Sequence, residues 1–136
     1  MSDEDNIRLI HAFMGNHDPQ LVAEDATYHD FTSPEPLRGR QAIGHMLEML
    51  YRTAFPGAIS EVRHVTADGR RIAVEYIFRG VNSGNLMGLP ATNRPVEIPM
   101  CAVFEVSGGA IQAARVYYDS AMLTRQLGLA PATAQS

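Results

Sequence analysis

Apolar residues recur at helical spacing in the first third of the chain and in β-type runs through most of the rest. Ile7, Ile10 and Met14 fall on one stripe, which predicts an amphipathic first helix. Ser2 or Asp3 can cap it, and Asp3, Glu4 and Asp5 suit its positive N-terminal end. Gly15-Asn16 should end it. Asp18-Pro19 reads as the cap and first position of a short second helix that buries Leu21 and Val22. Ala26 to Phe31 is short and β-prone, the first strand. Ser33-Pro34-Glu35-Pro36 is a loop, because each proline holds its predecessor extended.

A longer helix is predicted from about Arg40 to Phe55, with Ile43, Met46, Leu47, Leu50 and Ala54 on its apolar face and Pro56-Gly57 as its stop. The β-type pattern then dominates. Ile59–Ala67 ends at the hairpin signal Asp68-Gly69, Arg71–Val81 follows, and Arg94–Val106 runs to Ser107-Gly108-Gly109 before Ala110–Tyr118 completes a meander. A Gly/Asn-rich crossing, residues 82–93, separates the middle strands. Asp119 or Ser120 can cap a last helix through Leu127, ended by Gly128, and residues 129–136 read as a frayed tail. Helices first and a meander afterwards indicate α+β, a curved, mostly antiparallel sheet wrapped as a cone around the long helix. A small ligand would enter at the open end. Strand positions of both parities are apolar, Ile98, Met100, Ala102 and Phe104 against Cys101 and Val103. The face turned away from the helix therefore needs cover, and a homodimer is expected.

The 136 residues suit one domain, expected over 1–128, without repeats or linkers. The formal charge is −4 and basic residues cluster no further than Arg70-Arg71, which disfavours nucleic acid and anionic membrane surfaces as partners. Cys101 is the sole cysteine, so no internal disulfide can form; in mid-strand it reads as a buried, inert thiol. The acidic N-terminus lacks the features of a signal peptide, and no apolar run is long enough to span a bilayer, so a cytoplasmic location is the default expectation.

The stretch from Gly80 to Val96, Gly-Val-Asn-Ser-Gly-Asn-Leu-Met-Gly-Leu-Pro-Ala-Thr-Asn-Arg-Pro-Val, resembles the loop of SnoaL-like polyketide cyclases, with its Gly-x-His-x-Gly and Gly-x-Pro-x-Thr-Gly-Arg-x-Val pattern. Arg115-Val116-Tyr117-Tyr118-Asp119, continuing to Gln126-Leu127-Gly128, is similar to the family's strand-Asp-helix ending. His29-Asp30 resembles its His-Asn segment on the first strand, and Leu37-Arg38-Gly39-Arg40 its approach to the crossing helix. The resemblance spans roughly Ile7 to Gly128. It implies the cone-shaped barrel of the nuclear-transport-factor-2-like superfamily, which also holds ketosteroid isomerases, limonene-epoxide hydrolases and plain ligand binders. Asn82 stands where the family has the loop His, Asn93 where it has a turn Gly, and Asp30 where it has Asn. The His that the cyclases carry on the strand before their catalytic Asp has no counterpart between Arg94 and Asp119.

What the resemblance implies is cofactor-free proton abstraction and aldol ring closure on a small apolar, polyketide-like carbonyl compound. Asp119, at the family's catalytic position, is the expected base. Its apolar and aromatic neighbours would raise its pKa toward that task; the same residue is also an excellent N-cap for the last helix. Arg115 shares a face with Asp119 by alternation. It can pair with that carboxylate, stabilise an enolate, or lie at the surface or a dimer interface. Tyr28 and Asp30 share one face and His29 takes the other, and either face can look into the cavity. His29 is the first candidate to return the proton and Asp30 the second, the alternative for His29 being a structural imidazole. Tyr28, Met46, Leu50, Tyr76, Asn82, Met87 and Tyr117 are the residues expected to contact substrate. The other histidines show no ligand spacing, so neither metal nor cofactor is expected. A non-catalytic binder of an apolar ligand and an epoxide hydrolase or isomerase remain the alternatives, the hydrolase needing a second pocket carboxylate beside an arginine.

Overall fold

The computed structural model describes residues 2–129. Most of the predicted tail, 130–136, lies outside the described residues. Helix α1 spans Asp3–Asn16, closed at its start by a capping box in which Ser2 and Asp5 exchange backbone bonds. A single 3-10 turn, Pro19–Leu21, replaces the short second helix, with Asp18 accepting from the Gln20 N–H. Val22 already belongs to β1 (Val22–Asp30), which is longer than the sequence pattern suggested. Strand β2 is a two-residue edge, Leu37–Arg38, too short to leave a periodic signal.

The long helix comes in two parts. α2 is regular over Arg40–Glu48 and then widens into a π-helical segment, Met49–Ala54. That widening rotates the stripe. Ile43, Leu47 and Ala54 are buried in the core, whereas Met46 and Leu50 are only half buried. Strands β3 (Ile59–Asp68), β4 (Arg71–Val81), β5 (Pro95–Ser107) and β6 (Ala110–Tyr118) form the meander, and α3 (Ser120–Gln126) follows.

The six strands make one curved, unclosed sheet in the order β2-β1-β6-β5-β4-β3. All pairs are antiparallel except β1 with β6, which run parallel with Tyr28 beside Ala114 and Asp30 beside Val116. That pairing carries the N-terminal strand back to the end of the meander, a long-range contact no local pattern announces. Ile72, Val74, Phe78, Ile98, Phe104, Val106 and Ile111 fill the inner face of the sheet against Ile10, Phe13, Ile43 and Leu47 of the helices. Along β4 and β5 buried inner positions alternate with partly or fully exposed outer ones, broken at Arg79-Gly80 and at Met100-Cys101, and the side on which the helices pack decides which face is inner.

The loop between β4 and β5 is rigid at its base. Asn82 is buried, and its amide donates to the carbonyls of Ala54 and Gly84 while its Oδ1 accepts from the N–H and hydroxyl of Thr92. Gly84 packs against the backbone of the π-helical segment so closely that a Cβ there would stand 1.8 Å from the Thr53 carbonyl oxygen. Asn93 takes φ 58°, the left-handed conformation asparagine tolerates in place of the family's glycine.

Candidate active site

A cavity of about 560 Å³ opens between the concave sheet face, the α2 side and the loops at 31–36 and 82–94. Its wall is mostly apolar, with Met46, Met49, Leu50, Phe55, Phe78, Leu86, Met87, Met100, Val116 and Leu123, and it is interrupted by a small polar set. Four tyrosines, Tyr28, Tyr51, Tyr76 and Tyr118, bring phenols to it, joined by Asp30, Thr32, Ser33, Glu35 and His45.

Strand alternation builds this set. On β1, Tyr28 and Asp30 face inward; on β6, Val116 and Tyr118 do the same beside them. Tyr118 then neighbours Met100, and Met100 neighbours Tyr76, in one row across β6, β5 and β4. Asp30 Oδ1 accepts from the Thr32 N–H at 2.9 Å and the Thr32 hydroxyl at 2.8 Å, an Asx turn that fixes the carboxylate at the strand's end. Burial pushes the Tyr28 hydroxyl far up, with Tyr51 and Asp30 adding to the effect. Tyr76 is raised well above its usual value for the same first reason. Burial likewise takes Tyr51 up to about 12, against an opposing pull from the Ser60 hydrogen bond. Tyr118 rises through burial, tempered by Thr32 and reinforced by Asp30. All four phenols therefore keep their protons at neutral pH and can donate; of the two carboxylates in the wall, Asp30 follows Tyr28 on the inner face of β1 and can accept, while Glu35 lies in the exposed loop.

The structure brings Tyr28, Asp30, Met46, Leu50, Tyr76 and Met87 together around the cavity and leaves five other candidates outside its wall. Asp119, expected to line it, is exposed at the N-cap of α3, where it accepts from the N–H groups of Ala121 at 3.0 Å and Met122 at 3.2 Å. Because Tyr118 points inward, its neighbours Tyr117 and Asp119 turn away. Arg115 lies on the outer face, where it donates to Glu105 at 2.7 Å rather than approaching Asp119. His29 also lies outside the wall: its Nε2 donates to the Ser33 carbonyl at 3.0 Å and its ring leans on Phe31, which stacks on Tyr117. Asn82 is consumed by the loop bonds described above and has no free polar group for a ligand.

Residues missed in the sequence include Tyr51 and Tyr118. Tyr51 follows Leu47 by four, a usable helical signal; choosing Tyr118 over Tyr117 needs the direction of the sheet's curvature, which no local signal carries. Among the described residues no three His, Cys, Asp or Glu side chains converge as a metal site requires. Among the described residues no arginine lines the cavity. No helix among the described residues is long and apolar enough to cross a membrane.

A helix laid on a curved α+β sheet, enclosing a mostly apolar pocket with a few convergent polar groups, is the architecture of nuclear-transport-factor-2-like proteins. The sequence profile of the SnoaL-like polyketide cyclases matches residues 9–127, and the chain belongs to that family. No curated protein matches it. Among solved structures, a Jannaschia sp. CCS1 protein described as a SnoaL-like polyketide cyclase is similar with a TM-score of 0.82 at 15% identity, covering 96% of this chain and 98% of that one. IdmH of Streptomyces antibioticus, described as a polyketide cyclase, gives 0.70 at 24% identity over 95% of this chain and 100% of its own. A protein of ketosteroid isomerase-like fold from Catenulispora acidiphila, in complex with trimethylamine, gives 0.69 at 20% identity over 96% of each chain. At these identities the likeness is one of fold.

Proposed function

We propose that this protein catalyses cofactor-free proton transfer and aldol ring closure on a small, mostly apolar carbonyl compound, with Asp30 rather than Asp119 as the proton acceptor. The observation that carries this reading is the company Asp30 keeps, a carboxylate at the cavity wall among protonated phenols. Asp30 takes a proton from a carbon between two carbonyls, and the electron pair moves onto a carbonyl oxygen. Tyr118 and Tyr28 donate hydrogen bonds to that enolate, which lowers its energy where charge develops. The enolate carbon then attacks a further carbonyl of the same molecule, beyond the two that flank it, forming the C–C bond, and the new alkoxide recovers the proton from Asp30. Atoms balance without a co-reactant. The Thr32 bonds to Oδ1 also suit a purely structural Asp30, as in a non-catalytic binder of the same ligand class. Turnover of a cyclisable β-keto ester by wild type, Asp30→Asn and Asp119→Asn decides between the two. The epoxide hydrolase alternative finds little support, since no arginine stands beside Asp30 in the cavity wall.

The outer sheet face supports a homodimer. Ala73, Ile77, Cys101 and Val103 are only partly covered there, and Tyr117 and Phe31 are 45% and 49% exposed. A dimeric mass by sedimentation, lost in Tyr117→Glu, is the expected result; a wild-type monomer at micromolar concentration rejects it.

A further inference from the structure

A second polar chain reaches the cavity from the far edge of the sheet. His17 holds the C-cap of α1 at φ 52°, with its N–H bonded to the Phe13 carbonyl at 2.7 Å. Glycine or asparagine usually takes that left-handed position, and both stand immediately before it in the sequence, yet the helix runs past them to a histidine. The imidazole has work to do there. It stacks on Tyr51 with centroids 3.7 Å apart and planes at 15°, and Phe13 meets its edge at 5.6 Å. Its Nε2 lies 3.4 Å from Ser60 Oγ, and Ser60 Oγ lies 3.2 Å from the Tyr51 hydroxyl. Tyr51 lines the cavity. Ser60 belongs to β3 and Asp30 to β1, with β4, β5 and β6 between them in the sheet.

We propose that His17, Ser60 and Tyr51 form a relay that positions the Tyr51 hydroxyl to hold a second substrate oxygen, across the sheet from Asp30. Tyr51 touches the ligand; Ser60 and His17 are positioning residues that act through it. Burial keeps the imidazole neutral, down to about 4. A neutral imidazole carries its proton on either nitrogen, so the chain of bonds can run either way. Tyr51 can then donate to a carbonyl or accept from a hydroxyl. The stacked His17 ring on one side and the edge contact with Phe78, at 5.7 Å, brace the Tyr51 phenol, and the Ser60 contact orients its hydroxyl. The inference rests on the reading that the cavity takes an oxygen-bearing apolar molecule.

The test uses a probe pair, 2-naphthol and 2-methylnaphthalene, which match in size and differ in the hydroxyl. Fluorescence titration of the wild type is expected to show tighter binding of the naphthol. Tyr51→Phe and Ser60→Ala should each cut that preference by about threefold to tenfold, the range for one hydrogen bond. Ser60→Thr, which keeps the hydroxyl, should restore it. His17→Asn, which tolerates the left-handed backbone but lacks the ring's reach, should act like Ser60→Ala. Affinity for 2-methylnaphthalene stays within about twofold throughout, which a general loosening of the fold would not allow. A preference that survives Tyr51→Phe, an equal loss for both probes, or a wild type that fails to prefer the naphthol overturns the relay. The preference is also measured in Asp30→Asn. If that variant retains turnover while the Tyr51 dependence persists, the proton-transfer reading falls and the relay stands.

Discussion

Asp30 and Thr32 are joined twice through a single atom: the Thr32 N–H and hydroxyl both donate to Asp30 Oδ1, at 2.9 and 2.8 Å. The carboxylate is thereby held at the cavity wall through one of its two oxygens. Asp30→Asn keeps the shape and one acceptor for Thr32. Turnover of a cyclisable β-keto ester is expected to fall about 10²- to 10⁴-fold, the range for a lost general base. Asp119→Asn can still cap α3 and should leave turnover within a few-fold. Asp119→Ala should cost about 1 kcal/mol in stability, as lost caps do. If Asp119→Asn abolishes turnover and Asp30→Asn spares it, the assignment is reversed.

Asn82 is the buried pin of the loop over the cavity. Asn82→Ala leaves the Thr92 N–H and the Gly84 carbonyl without their side-chain partner and the Ala54 carbonyl with only the Gly84 N–H. Chemical denaturation should show a loss of about 2–3 kcal/mol. Limited proteolysis should open the chain between Ser83 and Asn93 first. A variant as stable as wild type with an uncut loop would show that water replaces the amide without cost.

Acid should weaken the fold through His17. Its folded pKa is lowered by burial from the usual 6.5 to about 4, so between those values the unfolded chain binds the proton and the folded one does not. Stability is therefore full above pH 6.5 and declines as pH falls toward 4, by at most about 3 kcal/mol. In His17→Asn the unfolding free energy should be flatter across that window. An unchanged slope would assign the acid sensitivity to other groups.

The split apolar stripe of α2 should appear in mutant energetics. Ile43 is 1% exposed in the core, and Ile43→Ala is expected to cost about 2–4 kcal/mol. Leu50 lines the cavity, so Leu50→Ala enlarges a space that already exists and should cost under about 2 kcal/mol. The second variant should change probe binding more than melting temperature. Equal losses would mean that the cavity collapses around Leu50 in solution.

Much of the architecture was legible without coordinates, because it rests on short-range chemistry. Helical spacing placed α1 and α2, Asp68-Gly69 and Ser107-Gly108-Gly109 placed two hairpins, and Asp119 before Ser120-Ala121 placed the start of α3. The motifs from Gly80 to Val96 and from Arg115 to Gly128 carried the family. Tyr28, Asp30, Met46, Leu50, Tyr76 and Met87 were candidates on sequence grounds and lie at the cavity wall. The sidedness of the other candidates was decided in three dimensions. Tyr117, Tyr118 and Asp119 are consecutive and all chemically plausible, but a strand turns successive side chains to opposite faces, and the side on which α2 packs gives the inner face to Tyr118. The parallel pairing of β1 with β6 puts Asp30 beside Val116, although 86 residues of chain separate them in number. The relay of His17, Ser60 and Tyr51 likewise joins a helix end, a strand and a π-helical turn that only packing brings within hydrogen-bond reach. Local propensity acts over a few residues, whereas a site of this kind is assembled by long-range burial that sets which faces meet.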